Sequence, residues 1–514
     1  MAEADITATT SGGDRNWSTG ATWVGGTKPA SDQHAIIPSS AAVTLDGNEE
    51  IASLVVNSGG TITGNASYSL TINSEGNASY GENYQSVQIT GAIGTNLNLI
   101  LTYAGSSEYN TGSTSGRVHD LTISSNTVFW ENGVSLAGDL VVDASKIFRA
   151  YNISKALTVD GDVTCNGTID CRGVSEGGDP AGTMAVSFGS LTIASGGTYS
   201  ATSGTTTIVG AGTIYDAGAN PIIFKNSGTL VPNGGTFLDT GAKNHKWQNL
   251  GSGDFHHFTV TTGSGRDVYL MDTSGAITFG GDVTINSGNF RGDSSSQDIT
   301  VTGDFTLAAS SDATHAGLAG NHSFGSVTIG ANATFSATSG TTTLAGQTGT
   351  NNLCFTNSGT FTHNGGTLNI TGNTWGTSQY AHIWVGSNQD FGNVTLDAGG
   401  AGSKYYQFRA GSTTFYFNDL YIKSGILRDY NNNNTFHIRG NLDVGTRGAG
   451  GAQAVLFDSD GRDNDYTTKL ILEGIATIYA DGQFHVAYGT DGTDGCKIGG
   501  IRNVGGTVNA VEQE

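Results

Sequence analysis

The sequence predicts an all-β protein built as a right-handed parallel β-helix, or β-solenoid. Three observations predict it. Short segments of alternating apolar and polar residues recur along the chain, Gly-, Asn- and Ser-rich turns separate them, and similar segments return at regular intervals. With 79 Gly among 514 residues, glycine also interrupts each stretch that could otherwise follow a helical period.

The strands are predicted from segments such as LTIN at 70–73, LTIS at 121–124, LTIA at 191–194 and VTIG at 327–330. Val, Ile, Thr, Phe and Tyr dominate these segments, as strands favour. Turns such as NSGG and NGGT follow them, where Gly and Asn tolerate a positive φ. The chain therefore alternates between short strands and tight turns.

A short frame of Gly, then Asp or Asn, then an apolar strand marks one coil. Its copies begin at Gly138, Gly161, Gly281, Gly303 and Gly440. Neighbouring copies are 22 or 23 residues apart, as with Gly138 and Gly161 or Gly281 and Gly303. This spacing is typical of one solenoid coil that carries two or three strands.

A longer repeat of about 140 residues overlies the short frame. The octapeptide SATSGTTT, for example, occurs at 200–207 and again at 336–343. We interpret it as the corner and following strand of a coil that recurs once per superrepeat. An alternative architecture is a tandem array of β-sandwich or jelly-roll domains of this length.

The repeat divides the chain into four predicted segments. They are an N-terminal cap with the first coils at 1–117, superrepeats at 118–255 and 256–391, and a third superrepeat with a degenerate C-terminal cap at 392–514.

The net charge of −22 limits the partners. Such a surface repels phosphate backbones and anionic membranes, so we expect no nucleic-acid binding. No run is long and apolar enough to span a bilayer, so membrane insertion is not expected either.

The N-terminal region carries the most specific pattern in the chain. NWSTGATWVGG at 16–26 is followed by Pro29, VTLD at 43–46 and SLVV at 53–56. This pattern resembles the opening of parallel β-helix proteins, structural and adhesin-like, from marine bacteria and their phages. The chain departs from that family after Pro29, where it keeps only Asp32 of several expected aspartates.

The resemblance implies a capping segment in which Trp17 and Trp23 close the core of the first coil. The alternative role for these two tryptophans is an exposed platform on which sugars stack.

The start of the chain, MAEADITATTSGG, lacks the basic and apolar regions of a secretory signal. A protein made in a host cytoplasm fits a phage virion better than a bacterial surface. We therefore expect a non-enzymatic structural and adhesive fibre component, such as a tail fibre, tailspike or head appendage. A bacterial surface adhesin or extracellular filament subunit is the alternative.

The expected partners follow from that role. They are further copies of the chain in a homo-oligomer, with a trimer as one option, other virion proteins, and a cell-surface glycan.

Catalysis would require two or three carboxylates that converge on one face. The eligible acids recur at matching repeat positions near a turn Gly: Asp139, Asp160, Asp162, Asp282, Asp304 and Asp419. A residue repeated in every unit is expected to serve the unit, by bonding backbone N–H groups at turns. We therefore expect no enzyme, with a polysaccharide-degrading tailspike depolymerase as the runner-up.

One acidic stretch, FDSDGRDNDYTT at 457–468, is a candidate calcium site. Its oxygen ligands would come from Asp458, Asp460, Asp463 and Asp465. The EF-hand pattern is not met, because Gly461 comes too early and the closing Glu is missing. A solvated loop is the alternative, and no other cofactor is expected.

Cys165 and Cys171 flank an Asn-Gly turn in CNGTIDC. They could meet across a hairpin, but four Cys in 514 residues do not make a disulfide framework, so we favour two reduced core thiols.

Two aromatic clusters, KYY at 404–406 and FYF at 415–417, are candidate glycan contacts. The candidate residues are Tyr405, Tyr406 and Tyr416, and packing within the core or along a ladder is the alternative.

Overall fold

The computed structural model describes most of the chain. The described residues are 4–10, 15–74, 85–111, 115–130, 132–151, 155–173, 182–210, 220–272, 276–294, 296–346, 352–372, 380–399, 404–430, 434–445, 454–456, 469–487 and 497–511. They form two compact units, 1–257 and 258–514. The four predicted segments stay a prediction.

Both units are built of strands joined by turns and loops, and one short 3-10 helix, Gly20–Thr22, occurs among the described residues. The first 25 strands, β1 to β25 in chain order, are Ala4–Thr7, Gln33–Ile37, Ala42–Thr44, Glu49–Ile51, Ser53–Val56, Thr61–Thr63, Ser69–Ile72, Gln85–Ile89, Ala92–Ile93, Asn98–Leu101, Ser106–Asn110, Leu121–Ile123, Thr127–Trp130, Val134–Leu136, Leu140–Val142, Ile147–Ala150, Leu157–Cys165, Thr168–Asp170, Val186–Ile193, Thr198–Ser200, Thr205–Ile208, Ile222–Asn226, Thr229–Val231, Thr236–Asp239 and His245–Asn249.

The next 25 strands, β26 to β50, are His257–Thr261, Asp267–Met271, Ala276–Phe279, Val283–Gly292, Asp298–Leu307, Ala313–Ala316, His322–Ile329, Thr334–Ser336, Thr341–Leu344, Leu353–Asn357, Thr360–Thr362, Thr367–Thr371, Tyr380–Val385, Gln389–Asp390, Asn393–Asp397, Tyr405–Arg409, Thr414–Phe417, Leu420–Asp429, Thr435–Ile438, Leu442–Val444, Ala454–Leu456, Lys469–Tyr479, Gly482–Ala487, Lys497–Val504 and Thr507–Val511. No helix in the described part of the chain is long and apolar enough to cross a membrane.

Consecutive coils stack as parallel ladders, which confirms the β-solenoid. In the first unit, ten strands form one ladder in the order β1-β2-β5-β8-β11-β13-β16-β18-β20-β23. Each coil contributes one strand to this ladder and pairs in parallel with the next coil, as β13 does with β16. The sandwich and jelly-roll alternative is wrong, because those folds pair their strands antiparallel.

Apolar side chains of successive coils stack inside each unit. In the first unit one such column contains Leu121, Leu140, Val163, Leu191 and Phe224. In the second unit another contains Phe258, Val283, Phe305, Val327, Phe355 and Ile383. Every member is buried, and the alternating polar residues lie outside or at corners, as a strand with one buried face requires.

The coil length varies more than the spacing of the Gly-Asp frame predicts. Leu121 pairs with Leu140 in a short coil, whereas Leu442 pairs with Ala476 in a much longer one. The stacked columns keep their parallel pairing despite this difference in length. A fixed period is therefore correct for the Gly-Asp frame and wrong for the whole chain.

The repeated octapeptide forms the same corner twice, as predicted. Its first copy ends β20 and begins β21, and its second ends β33 and begins β34. In both copies the Thr hydroxyl at the third position, Thr202 or Thr338, accepts the backbone N–H two residues later at 3.0 Å. The same hydroxyl donates to a carbonyl of the preceding coil, so the motif is a corner that fastens two coils.

Candidate ligand-binding face

Trp17 and Trp23 are buried and pack against each other. Their rings meet edge to face with centroids 4.8 Å apart, and Trp23 Nε1 donates a hydrogen bond to the Trp17 carbonyl at 2.9 Å. Neither ring is more than 1 % exposed, so the alternative role as a sugar-stacking platform is wrong. Burial supports the capping interpretation, which stays a prediction.

The candidate calcium ligands Asp458, Asp460, Asp463 and Asp465 lie outside the described residues. Among the residues that the structure does describe, no group of three or more His, Cys, Asp or Glu side chains could hold a metal ion.

Cys165 and Cys171 are buried free thiols, as favoured from the sequence. Burial raises the pKa of Cys165 to about 12, which keeps the group protonated and unreactive at neutral pH.

Three of the six repeated aspartates bind the backbone of the following coil. Oδ1 of Asp139 accepts the N–H of Asp162 at 2.7 Å, and Oδ1 of Asp282 accepts the N–H of Asp304 at 2.9 Å. Asp419 accepts the N–H of Asn441 in the same way. Asp139, Asp282 and Asp419 therefore bond backbone N–H groups as predicted, but across coils rather than within their own turns. The other three carboxylates contact side chains: Asp162 and Asp304 accept from the hydroxyls of Ser190 and Ser326, and Asp160 pairs with Arg117.

The three tyrosine candidates differ in accessibility. Tyr406 is fully buried, and its hydroxyl donates to the Ile370 carbonyl at 3.2 Å, so it presents no surface to a ligand and is removed from the candidates. Tyr405 and Tyr416 are half-buried and lie on different ladders, in β41 and β42. The structure therefore does not bring the three together into one site.

Tyr405 belongs to a larger surface formed by three adjacent strands. Tyr380 of β38 pairs with Tyr405 of β41, and Trp384 of β38 pairs with Arg409 of β41. Tyr430 follows β43 directly and donates its backbone N–H to Phe408 at 3.0 Å, which places it beside Arg409. Because side chains two residues apart share one face of a strand, these residues all point away from the core.

We call this surface the aromatic–arginine face and define it by Tyr380, His382, Trp384, Tyr405, Gln407, Arg409, Arg428 and Tyr430. Among its rings, Tyr430 is 50 %, Trp384 37 % and Tyr380 36 % exposed. From Tyr380 to Trp384 it extends about 13 Å along the strand, and three strands span about 10 Å across.

The arginines of this face lie over its rings. The guanidinium carbon of Arg409 is 3.8 Å from the centroid of the Tyr430 ring, and that of Arg428 is 3.9 Å from the Tyr405 ring. Tyr405 also stacks on Tyr380, with centroids 5.1 Å apart and planes inclined by 20°. Cation–π and stacking contacts hold the rings and guanidinium groups in place, so the face is ordered before any ligand arrives.

His382 lies in the middle of the face and is almost completely covered. It is 5 % exposed, and its ring stacks on Tyr380 at 6.1 Å and meets the Tyr430 ring edge to face at 5.9 Å. Burial, helped by the positive charge of Arg409, lowers the pKa of His382 to about 4. The imidazole is therefore neutral at neutral pH, and its Nδ1 has no hydrogen-bond partner among the described residues.

Sequence reasoning found Tyr405 but missed Tyr380, Trp384, Arg409 and Tyr430. A signal was present, since YAHIW at 380–384 and YYQFR at 405–409 each place large side chains on the outward positions of a strand. What the sequence could not supply was the register that sets the three strands side by side.

No family model, no curated protein and no solved structure matches the chain.

Proposed function

We propose that the protein is a non-enzymatic structural and adhesive component of a fibre, and that it contacts a surface glycan through the aromatic–arginine face. The observation that carries the adhesive part is the exposure of Trp384, Tyr380 and Tyr430 on one ordered face. Flat exposed rings bury the apolar C–H side of a sugar while its hydroxyl groups stay in water.

The structural part of the proposal rests on how the coils are joined. Each coil pairs with the next through parallel ladders, and buried apolar columns and repeated Asp side chains add contacts between the same coils. A stack of this kind gives stiffness and can be lengthened by adding repeats.

We propose a phage virion as the place of this fibre, as a tail fibre, tailspike or head appendage. The support is the resemblance of the segment at 16–56 to parallel β-helix proteins of marine bacteria and their phages.

Binding to immobilised polysaccharides tests the adhesive part. The wild type is passed over a panel of bacterial surface polysaccharides and its retention is compared with that of Trp384→Ala and Tyr430→Ala. Val24→Ala is the matched control, because Val24 is 61 % exposed but lies in the other unit.

We expect retention of the wild type and of Val24→Ala, and loss of at least tenfold in affinity for Trp384→Ala, because removal of a central aromatic anchor typically costs this much or more. Equal retention of all four proteins, or of none, would reject the aromatic–arginine face as the contact surface.

A further inference from the structure

We propose that the aromatic–arginine face selects an acidic polysaccharide, whose carboxylate or sulfate groups lie against Arg409 while sugar rings stack on Trp384, Tyr380 and Tyr430. This inference rests on the proposed glycan contact and names the chemistry of its ligand.

The first argument is the charge of this face compared with that of the whole chain. The protein has 44 acidic and 22 basic residues, yet β38 and β41 carry no acidic residue and one arginine. The adjacent part of β43 adds Arg428 and Asp429. The carboxylate of Asp429 accepts a hydrogen bond from the Asn434 backbone at 3.0 Å, which directs it to that corner. The outward side of these strands is therefore positive on a negative protein.

The second argument concerns the groups that lack a hydrogen-bond partner. Nε of Arg409 and Nδ1 of His382 are both buried and have no hydrogen-bond partner among the described residues. A buried polar group without a partner is costly. A bound anion would accept from the guanidinium of Arg409, which is the half-exposed one of these two side chains.

The third argument is the order of groups along the strands. Arg409 pairs with Trp384 and lies over the ring of Tyr430, so a cation stands between two exposed aromatic side chains. A polymer bound along the face would therefore contact an aromatic ring, then the charged guanidinium of Arg409, then a second aromatic ring. A neutral glycan would use the rings alone and would leave the arginine without its ion pair.

The shape of the face favours a polymer over a small molecule. It is a flat strand surface of about 13 Å by 10 Å, whereas small-molecule sites are concave and bury most of their ligand. Nucleic acid also combines flat rings with negative charge, but its phosphate spacing is denser and the net charge of −22 opposes it.

Affinity measurements at physiological salt with matched polymers test the inference. A polyuronate is compared with the same polymer after chemical reduction of its carboxyl groups, and a sulfated neutral glycan with its unsulfated parent. A single-stranded oligonucleotide and polyphosphate are included as competitors. The proteins are the wild type, Arg409→Gln, Trp384→Ala and the control Arg266→Gln, which removes an exposed arginine outside the face.

We expect at least one acidic polymer to bind about tenfold tighter than its uncharged partner, because one charge-assisted hydrogen bond contributes about this much to affinity. Arg409→Gln should abolish that preference. Trp384→Ala should weaken binding of both polymers, and Arg266→Gln should change neither affinity.

Other outcomes separate this inference from the proposed function. Equal binding of charged and uncharged polymers, unaffected by Arg409→Gln, would overturn the acidic ligand and leave the glycan contact standing. Equal competition by oligonucleotide or polyphosphate would overturn it as well, because the face would then bind any polyanion. Binding of none of the glycans would reject both proposals.

Discussion

Asp282 binds the coil that follows it, because its Oδ1 accepts the backbone N–H of Asp304 at 2.9 Å. Gly303 directly precedes Asp304 in the chain, and a Cβ atom added to Gly303 would overlap the Asp282 carboxylate. Gly161 stands in the same relation to Asp139, and Gly440 to Asp419. The recurring Gly-Asp frame is therefore explained by contact between coils. The Gly makes room for the Asp of the coil before, and the Asp or Asn that follows the Gly bonds the coil after.

Replacement of Gly303 by Ala should destabilise the second unit by about 1–3 kcal/mol, because overpacking forces neighbouring atoms apart. The added Cβ would also lie 2.9 Å from the Gly281 backbone carbon, so a side-chain movement alone cannot relieve the overlap. Urea-induced unfolding measures the change. Gly411→Ala is the matched control, since a Cβ there meets nothing within 4 Å, and equal stability of the two variants would contradict the explanation.

Removal of the Asp282 carboxylate should expose one amide in particular. Asp282→Ala leaves the N–H of Asp304 without its acceptor, which costs about 0.5–1.5 kcal/mol, whereas Asp282→Asn keeps an oxygen that can accept. Hydrogen exchange at the Asp304 amide measures the difference directly. Faster exchange is expected in Asp282→Ala than in Asp282→Asn, and unchanged exchange in both would show that the bond contributes nothing.

The stability of the second unit should fall in acid because of a buried histidine pair. His315 Nε2 lies 3.3 Å from His322 Nδ1, and burial lowers the pKa of His322 to about 4 and that of His315 well below its ordinary value. Both histidines are therefore neutral in the folded protein but protonate near pH 6.5 in the unfolded chain. Their contribution to the free energy of unfolding is fully present above pH 6.5 and is lost as the pH falls toward 4.

Between pH 6.5 and 4, His322 should lower the free energy of unfolding by on the order of 3 kcal/mol. His322→Leu should flatten the dependence of the free energy of unfolding on pH, even if the variant is less stable at neutral pH. Parallel curves for the wild type and the variant between pH 6.5 and 4 would contradict this explanation.

The first unit contains a buried ion pair with the opposite pH dependence. Asp239 Oδ2 lies 2.7 Å from His245 Nε2 and accepts a hydrogen bond from Trp247 Nε1 at 2.8 Å. Burial alone would lower the pKa of His245, but the hydrogen bond and charge of Asp239, with the Lys243 carbonyl, outweigh it and leave the pKa raised. The contribution of this pair to the free energy of unfolding is therefore fully present below pH 6.5 and decreases as the pH rises through the pKa of His245 in the folded protein.

Asp239→Asn should cost about 3–5 kcal/mol below pH 6.5, as expected when a buried ion pair loses one partner. The difference from the wild type should shrink at higher pH. Unfolding curves at several pH values measure it, with Asp32→Asn as a control for an exposed carboxylate. If the destabilisation caused by Asp239→Asn grew as the pH rose, the result would contradict the raised pKa of His245.

Much of the fold could be predicted from the sequence because its signals are local. Leu121, Val163 and Leu191 alternate with polar residues, and that alternation alone identifies them as inward. Matching repeats such as SATSGTTT also identified the corner that Thr202 and Thr338 form.

The candidate site could not be predicted in the same way. Trp384, Arg409 and Tyr430 become neighbours only through the register of three coils whose lengths differ from the period of the Gly-Asp frame. The buried pair of Asp239 and His245 likewise depends on how a corner folds back, which no periodicity reveals.

The central claim is that the protein holds a surface polysaccharide without cutting it. The most direct measurement follows the chain length of an acidic polysaccharide retained by the wild-type protein, together with the release of reducing or unsaturated ends over time. We predict retention that depends on Trp384, with no shortening of the polymer and no new ends. Shortened polymer with new ends, produced by the wild type, would contradict the claim and favour a depolymerase.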